Sequence, residues 1–350
     1  MATGTGSNLT SSSGSDRLKV LIVGAGDMAT RHIEGWRTSG LADVEAVVDV
    51  DSDRLRAFMT KHEIPNGHAD YCSMINKLQP DVVSICVPAV LHPEVTQCAA
   101  DAGAHVLCEK PIALNVSDAR AMIEACRRNN VLLGIDFQRR FGDTTRFYNR
   151  MVSEEVFGRP LIWRQMDLRE VRPKTMMHEK FGNGGSIVDC AVHWFDQWRC
   201  ILGADPVRVF ARGGVFGRGK ERLKNVKEFA TDTGLITVEY DSGDTGEVCI
   251  CWGLPEETPS ATSLTVFGPE AVARNESDRI VVQKGRWTTE EKLEATSWDP
   301  MIHGFAQAVV EGRNTSPVSG EDGLVALKAA LAAVRSIEEG RPVELAEITD

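Results

Sequence analysis

The sequence predicts two domains, a doubly wound α/β domain built on a parallel sheet and an α+β domain built on a large, mostly antiparallel sheet. Three observations indicate this fold class. The chain has 350 residues, more than one hydrophobic core usually serves. Strand and helix patterns alternate up to about residue 140, as is typical of a parallel sheet. Beyond that point strand patterns follow one another with turn signals between some of them, which favours antiparallel pairing.

The predicted boundaries place the first domain at residues 17–140 and the second at residues 141–350. Residues 1–16 are rich in Ser, Thr and Gly, so we expect a disordered tail there. This tail lacks the charged start and apolar stretch of a secretory signal, and no apolar run in the chain approaches the length of a membrane span. We therefore expect a cytoplasmic protein.

The elements of the first domain begin with an apolar run at residues 18–23, which is typical of a strand buried on both faces. Further strands are predicted at residues 44–50, 81–87, 105–108 and 131–135. Helices are predicted at residues 27–39, 93–102 and 117–129. A further, polar helix is predicted after the second strand and stops near residue 65. Ser117 is a candidate N-cap for the helix at residues 117–129.

The elements of the second domain are a series of strands and three helices. The strands are predicted at residues 161–168, 207–216, 235–240, 247–252 and 263–267. The helices are predicted at residues 185–202, 299–311 and 321–339. The last helix ends at Gly340 and could pack back on the first domain.

Composition excludes several partners and sites. A net charge of −11 repels phosphate backbones and anionic lipid, so we expect neither nucleic acid nor a membrane as a partner. The nine cysteines show no paired spacing typical of a disulfide framework, and Cys98 and others are expected to be small buried hydrophobes. Cys249 and Cys251 share a strand face without a histidine or a second cysteine pair, so we expect no metal.

A glycine-rich turn follows the first strand, where Gly24, Gly26 and Ala29 form the pattern G-x-G-x-x-A. The first glycine permits a tight turn, the second lets a pyrophosphate approach the backbone, and the alanine allows close packing of helix on strand. The free N–H groups at the start of the helix, at Asp27 and Met28, then suit phosphate. Alone the pattern also fits a plain tight turn, but its flanking strand and helix favour a dinucleotide site.

A carboxylate closes the second predicted strand, since Asp49 follows Gly24 by about 25 residues. This is where an acidic side chain would accept hydrogen bonds from the adenosine ribose. Asp51 adds a second negative charge, and both would repel a 2′-phosphate, so NAD is favoured over NADP. Arg54 argues the other way, because a nearby arginine can accommodate that phosphate. The alternative role of the two aspartates is N-capping of the next helix.

Several further motifs occur in a fixed order along the chain. They are Val87-Pro88 with His92, Cys108-Glu109-Lys110-Pro111, Gln138-Arg139-Arg140-Phe141, Gly184-Gly185 leading to Asp189 and His193, and Gly320-Glu321-Asp322-Gly323. With the glycine turn and Asp49, they make the chain similar to the glucose–fructose oxidoreductase/inositol dehydrogenase/rhizopine-catabolism (Gfo/Idh/MocA) family from Leu18 to Val343. The motifs are specific for the family and not for a substrate.

The resemblance implies a Rossmann domain and an open-faced sheet domain with the active site between them. It also implies that Lys110, Asp189 and His193 are the catalytic residues. In this family the lysine contacts the reacting hydroxyl, and the aspartate and the histidine lie on one helix that faces the nicotinamide. Val87, His92 and Glu109 are further candidates for the cofactor site.

The residue types themselves agree with this chemistry. Lys110 follows the carboxyl end of a strand, where α/β sheets bind ligands, and its ammonium could stabilise a developing alkoxide. Asp189 and His193 are four apart and share one face of a helix, and histidine suits the removal of a hydroxyl proton. His193 is the preferred base. Lys110 remains an alternative, because a neighbouring nicotinamide cation could lower its pKa.

Other candidates have two interpretations each. His92 could border the nicotinamide or support a helix N-terminus, and Glu109 could hold Lys110 or contact the nicotinamide ribose. Arg139 and Arg140 could face the substrate, although one of them could be a paired surface arginine. The charged run from Arg169 to Lys180, which includes His178, could bind a polar or acidic substrate, but a solvated run is favoured. Four tryptophans could stack on a sugar, but core packing is favoured.

The preferred hypothesis is an NAD-dependent oxidoreductase that transfers a hydride between NAD and a secondary hydroxyl of a sugar, cyclitol or sugar derivative. One alternative is an enzyme that retains NAD and cleaves a glycoside through transient sugar oxidation. A second alternative is an NAD-binding protein without activity. The exposed face of the large sheet predicts a homodimer or homotetramer.

Overall fold

Six parallel strands form the first sheet of the computed structural model, which describes residues 17–293 and 299–349. In chain order they are β1 (Leu18–Val23), β2 (Ala42–Val48), β3 (Asn66–His68), β4 (Val82–Ile85), β5 (His105–Cys108) and β6 (Leu133–Ile135). Across the sheet they are ordered β3-β2-β1-β4-β5-β6, with the reversal between β1 and β4. This order is that of the Rossmann fold, and it confirms the predicted doubly wound sheet. The tail predicted at residues 1–16 lies outside the described residues.

Five helices cover this sheet. They are α1 (Asp27–Ser39), α2 (Ser52–His62), α3 (Tyr71–Leu78), α4 (His92–Asp101) and α5 (Val116–Arg128). The predicted N-cap of α5, Ser117, is wrong. Asn115 has the extended backbone that a cap requires, and its side chain accepts a hydrogen bond from the N–H of Asp118.

A disulfide joins Cys72 on α3 to Cys98 on α4. The expectation that Cys98 is a free thiol is therefore wrong. The two cysteines are 26 residues apart, and α3 is not among the predicted helices, so no local pattern marks them as neighbours. Among the described residues the other cysteines are free.

Nine strands form the second sheet. They are β7 (Ile162–Glu170), β8 (Pro206–Gly214), β9 (Thr233–Tyr240), β10 (Thr245–Leu254), β11 (Ala261–Phe267), β12 (Val272–Glu276), β13 (Arg279–Lys284), β14 (Trp287–Lys292) and β15 (Val343–Glu344). Their order is β14-β13-β12-β11-β7-β10-β9-β8-β15, and the pairing is antiparallel except between β7 and β10. The mostly antiparallel sheet is confirmed. Its edge strands β12 to β14 were missed because they are short and rich in polar residues.

The remaining helices are α6 (Asp143–Ser153), α7 (Val192–Leu202), α8 (Asp299–Val310) and α9 (Gly320–Glu339). A π-helical turn, Ile187–Ala191, leads directly into α7. The last helix, α9, contacts α5 and β6 of the first sheet as well as α7 and β8 of the second. It therefore packs against elements of both sheets. The domain boundary near residue 140 stays a prediction. Within the described residues, no helix combines the length and apolarity that a membrane crossing requires.

Candidate active site

The glycine turn forms a cradle that a side chain would fill. Gly24 has a φ of +102°, and a Cβ built there would lie 2.7 Å from the carbonyl oxygen of Cys86. Only glycine suits such a position. Gly26 is the N-cap of α1 without a capping side chain, so the first N–H groups of this helix lack a side-chain acceptor. The turn therefore offers backbone donors and a helix N-terminus to a phosphate.

The carboxylate of Asp49 is fixed beside this turn. Its Oδ2 accepts a hydrogen bond from the N–H of Ala25 at 2.9 Å, and Arg54 donates from Nε at 3.0 Å and from a terminal nitrogen at 2.8 Å. Burial alone would raise the pKa of Asp49. The hydrogen bonds from Arg54 and Ala25 lower this pKa by a larger amount, so it is below its usual value. Asp51 accepts from two N–H groups at the start of α2 and is its N-cap. Arg54 is thus bound to Asp49.

Lys110 joins the carboxyl end of the first sheet to the second domain. It follows β5 by two residues, and its Nζ donates to Asp189 Oδ1 at 2.6 Å and to the Asp189 carbonyl oxygen at 2.9 Å. Burial lowers the pKa of Lys110, but the charges of Asp189 and Glu109 raise it more. The lysine is therefore held as an ammonium.

The π turn explains how Asp189 presents two oxygens to one lysine. The sequence predicted a regular helix over residues 185–202, whereas the structure has wider π geometry at Ile187–Ala191. Such turns interrupt the regular hydrogen-bond pattern and are frequent at functional sites. Asp189 lies on this turn with only 2% of its surface exposed, so its charge depends on Lys110 for compensation.

His193 lies on the next turn of the same helix and is almost fully buried. Its ring packs edge-on against Phe137 with the centroids 5.8 Å apart, and its Nδ1 has no hydrogen-bond partner among the described residues. The pKa of His193 is well below 6.5, mainly because the ring is buried and also because Arg139 and Lys110 carry positive charges nearby. The imidazole is therefore neutral at neutral pH. No hydrogen bond joins it to Asp189 in the described part of the chain.

The two neighbouring arginines have different surroundings. Arg140 is largely buried and donates to Asp196 on α7, with a closest distance of 2.5 Å, and to Asp322 on α9. Its contacts tie two helices together and give it a structural role. Arg139 lies over the ring of Trp194 at 5.2 Å, and its charge acts on His193. Of the two, the structure thus brings Arg139 to the candidate site.

Two predicted histidines are buried at the ends of helices, His92 as the first residue of α4 and His178 as the last residue of a short 3-10 helix. The ring of His92 contacts the carbonyl oxygens of Pro111 at 2.9 Å through Nδ1 and of Val87 at 3.0 Å through Nε2. It therefore connects the segment after β4 to the segment after Lys110, which favours its structural interpretation. His178 is fully buried, and its Nε2 accepts the N–H of Arg172 at 3.0 Å. The hypothesis that it binds substrate finds no support in these contacts.

The remaining predicted residues have simple environments. Asp27 is exposed at the start of α1 and pairs with Lys174 of the second domain at 2.8 Å, while Met28 is half-buried. The four tryptophans proposed as a stacking wall are buried, which favours core packing. They are Trp163, Trp194, Trp198 and Trp252.

A buried cluster of three ionisable side chains lies directly behind Lys110. Nε2 of His32 is 3.1 Å from Glu109 Oε1 and 3.1 Å from Asp136 Oδ2, and Glu109 Oε2 accepts the N–H of Lys110 at 3.2 Å. The three ligand-type atoms lie within 4.8 Å of one another. We interpret them as a hydrogen-bonded group that fixes the backbone of Lys110. This cluster has no signature in the sequence, because its members come from distant segments.

The charges of this cluster follow from burial and contact. Burial lowers the pKa of His32, but its neighbours, among them Asp136 and Glu109, raise it well above its usual value. Burial raises the pKa of Glu109, but the hydrogen bond from His32 brings it below its usual value. Burial raises the pKa of Asp136 more than its contact with His32 lowers it. We therefore expect an imidazolium beside the Glu109 carboxylate, with Asp136 as the carboxyl of the cluster that takes up a proton more readily.

Replacing the cation of this cluster is expected to destabilise the fold strongly. His32→Leu leaves the Glu109 carboxylate buried without compensation, which costs about 3–5 kcal/mol in the free energy of unfolding. Asp136→Asn keeps a polar side chain of the same shape and leaves the pair of His32 and Glu109 in place, so it is expected to cost much less. Denaturant unfolding measures both, with the exposed His68→Ala as a control. Equal losses for His32→Leu and Asp136→Asn would contradict the assigned charges.

Comparisons with known proteins agree with this geometry. The family model described as the oxidoreductase family, NAD-binding Rossmann fold, matches residues 18–137, and that of the C-terminal alpha/beta domain of the same family matches residues 150–345. The chain is 29% identical to a myo-inositol 2-dehydrogenase of Thermotoga maritima over 95% of this chain and 99% of the relative. It is 28% identical to a D-apiose dehydrogenase of Paraburkholderia graminis over 94% and 90%.

A solved structure shares the whole architecture. The crystal structure of a probable dehydrogenase from Thermotoga maritima superposes with a TM-score of 0.78 at 27% sequence identity. The match covers 95% of this chain and 100% of that one. Both domains and their arrangement are therefore common to the two proteins.

Proposed function

The chain belongs to the Gfo/Idh/MocA oxidoreductase family, and from this we propose that it transfers a hydride between NAD and a secondary hydroxyl of a sugar, cyclitol or sugar derivative. The contact of Lys110 with Asp189 is the observation that carries the proposal. It brings a cation from the cofactor domain onto the helix that bears His193. The names of the relatives, dehydrogenases of myo-inositol and of D-apiose, support a polyol or sugar as substrate.

The residues at the glycine turn fit NAD. The cradle at Gly24 has no room for a side chain, and the start of α1 offers uncapped N–H groups to the phosphates. The charged Asp49 beside the turn is suited to accept hydrogen bonds from ribose hydroxyls. NAD, when bound, accepts or returns the hydride of the substrate carbon.

Lys110 and His193 have different roles at the substrate hydroxyl, the first as a hydrogen-bond donor and the second as a base. The Lys110 ammonium donates a hydrogen bond to the hydroxyl oxygen and stabilises the negative charge that develops on it. The neutral imidazole of His193 accepts the hydroxyl proton at a ring nitrogen, which we take to be Nε2, because Nδ1 is buried without a partner among the described residues. Asp189 fixes the position of Lys110 and maintains its charge, so it acts mainly through the lysine.

The cofactor preference is expected to depend on Asp49. Asp49→Ser removes the acceptor for the ribose hydroxyls and releases Arg54, which can then bind a 2′-phosphate. We expect the ratio of kcat/KM with NADP to kcat/KM with NAD to rise about ten- to hundredfold, since a hydrogen bond to a charged group contributes roughly 1.5–3 kcal/mol. Asp53→Ser, an exposed change on α2, is the matched control. An unchanged ratio in Asp49→Ser would refute the proposed role.

The proposal is tested by incubating the protein with NAD or NADP and a panel of polyols, cyclitols and sugar derivatives. Formation of reduced nicotinamide in step with oxidised sugar supports it. Glycoside cleavage without net reduced nicotinamide would favour the NAD-retaining alternative instead.

We also propose that the outward face of the second sheet, with Ile162, Phe210 and Leu235 exposed, is covered in a homodimer or homotetramer, which the mass in solution tests.

A further inference from the structure

Arg169 presents a fixed guanidinium near the end of β7. Along this strand Trp163 and Asp167 are buried against the helices, whereas Ile162 and Arg164 are exposed on the opposite face. Because side chains alternate along a strand, Arg169 shares the inner face with Trp163 and Asp167. The prediction that this arginine belongs to a solvated run in a loop is therefore wrong, since it lies within β7.

The buried carboxylate of Asp167 orients this guanidinium. Nε of Arg169 is 2.9 Å from Asp167 Oδ1 and 3.0 Å from Oδ2, and Asp167 is only 1% exposed. No acceptor is found for the terminal nitrogens of Arg169 within residues 17–293 and 299–349. The side chain of Arg169 is 32% exposed, so these donors remain available to a ligand.

Short contacts connect Arg169 to the proposed catalytic residues. Asp167 Oδ2 is 3.8 Å from the sulfur of Cys190, which directly follows Asp189 on the π turn. Asp189 in turn holds Lys110 at 2.6 Å. Arg169 is thus linked to Lys110 through Asp167, Cys190 and Asp189, of which the last two lie on the same π turn.

The balance of charge around this turn is positive. Lys110, Arg139, Arg169 and His32 contribute four cations, whereas Asp167, Asp189 and Glu109 contribute three carboxylates that are already paired, and burial raises the pKa of Asp136. Burial raises the pKa of the Cys190 thiol, and the charges of four neighbouring groups also act on this pKa: Arg139, Asp167, Lys110 and Asp189. Cys190 in turn contributes to raising the pKa of Arg169. His193 is neutral and does not change the balance. The excess is notable in a chain of net charge −11.

We propose that Arg169 binds a carboxylate of the substrate and that the substrate class is therefore sugar acids. The proposal rests on the function proposed above and specifies its substrate. A guanidinium with two free terminal nitrogens matches the planar, two-oxygen geometry of a carboxylate better than that of a single hydroxyl. The carboxylate also neutralises the excess positive charge, while the hydroxyl to be oxidised lies at Lys110 and His193.

The test compares sugar acids with neutral sugars that carry a hydroxymethyl group in place of the carboxylate. The probes are D-glucuronate with D-glucose, D-galacturonate with D-galactose, and D-gluconate with D-sorbitol, each supplied with NAD. A higher kcat/KM for an acid than for its neutral partner supports the inference. Equal or better oxidation of the neutral partner overturns it and leaves the proposed function intact. Oxidation of neither kind of probe, nor of any polyol or cyclitol, overturns both.

A variant separates recognition from structure. Arg169→Met is expected to raise the KM for the acid about ten- to hundredfold, as expected for loss of a charged hydrogen-bonded pair, and much less for the neutral partner. Arg169→Lys retains the charge without the planar fork and is expected to restore part of the loss. Arg127→Met, at an exposed site on α5, is the control. A purely structural role would raise both KM values together, and that result would contradict the proposal.

Discussion

Lys110→Met is expected to slow hydride transfer by about a hundred- to a thousandfold, as is typical when one donor to a developing oxyanion is removed. The variant retains a side chain of similar length but loses the charge that stabilises the alkoxide. It also leaves Asp189, which is 2% exposed, without its cation. Single-turnover formation of reduced nicotinamide measures the loss, and titration with NAD shows whether the nucleotide still binds.

Two comparisons make this result specific. Lys77→Met, an exposed change on α3, is expected to leave the rate unchanged. Lys110→Arg keeps a cation beside Asp189 but not the compact ammonium, so we expect it to retain the fold and to regain only part of the rate. Normal single-turnover kinetics in Lys110→Met would contradict the catalytic role of this lysine.

His193→Ala is expected to lower the rate of hydride transfer by about a hundred- to ten-thousandfold, the contribution typical of a positioned base. Because burial and two neighbouring cations lower the pKa of His193 well below 6.5, the wild-type base is unprotonated throughout the neutral range. The wild-type rate should therefore fall only as the pH drops below 6.5, through this lowered pKa. The measurement is the pH dependence of the single-turnover rate.

The same profile distinguishes the two candidate bases. If His193 is the base, the acidic limb of the profile disappears in His193→Ala. If the limb remains there and is lost in Lys110→Arg, the lysine accepts the proton, in conflict with its raised pKa. Unchanged single-turnover kinetics in His193→Ala would remove the histidine from the mechanism.

Local signals explain which parts of the fold the sequence predicts well. The strand at Leu18–Val23 and the helix at Asp27–Ser39 have the predicted bounds, because an apolar run and two glycines mark them within a few residues. The π turn before α7 was not predictable. Its residues have an ordinary helical pattern, and nothing in that pattern shows that Asp189 pairs with Lys110, which lies 79 residues away.

Long-range contacts explain what the sequence could not show. His32 and Glu109 are 77 residues apart, so only the fold brings them together behind Lys110. Arg139 and Arg140 have the same side chain, but the short 3-10 helix at Gln138–Phe141 directs one to Trp194 and the other to Asp196 and Asp322. Sequence patterns identify candidate residues, and packing decides which of them face the site.

The most direct test is a single experiment on the wild-type protein and Lys110→Met with NAD, a sugar acid and its neutral partner. We predict that reduced nicotinamide forms in proportion to oxidised substrate in the wild type, with a slower rate when the reacting carbon carries deuterium. We predict almost no product in the variant, although it binds NAD. Turnover without net reduced nicotinamide, or equal product in both proteins, would contradict the proposed dehydrogenase mechanism.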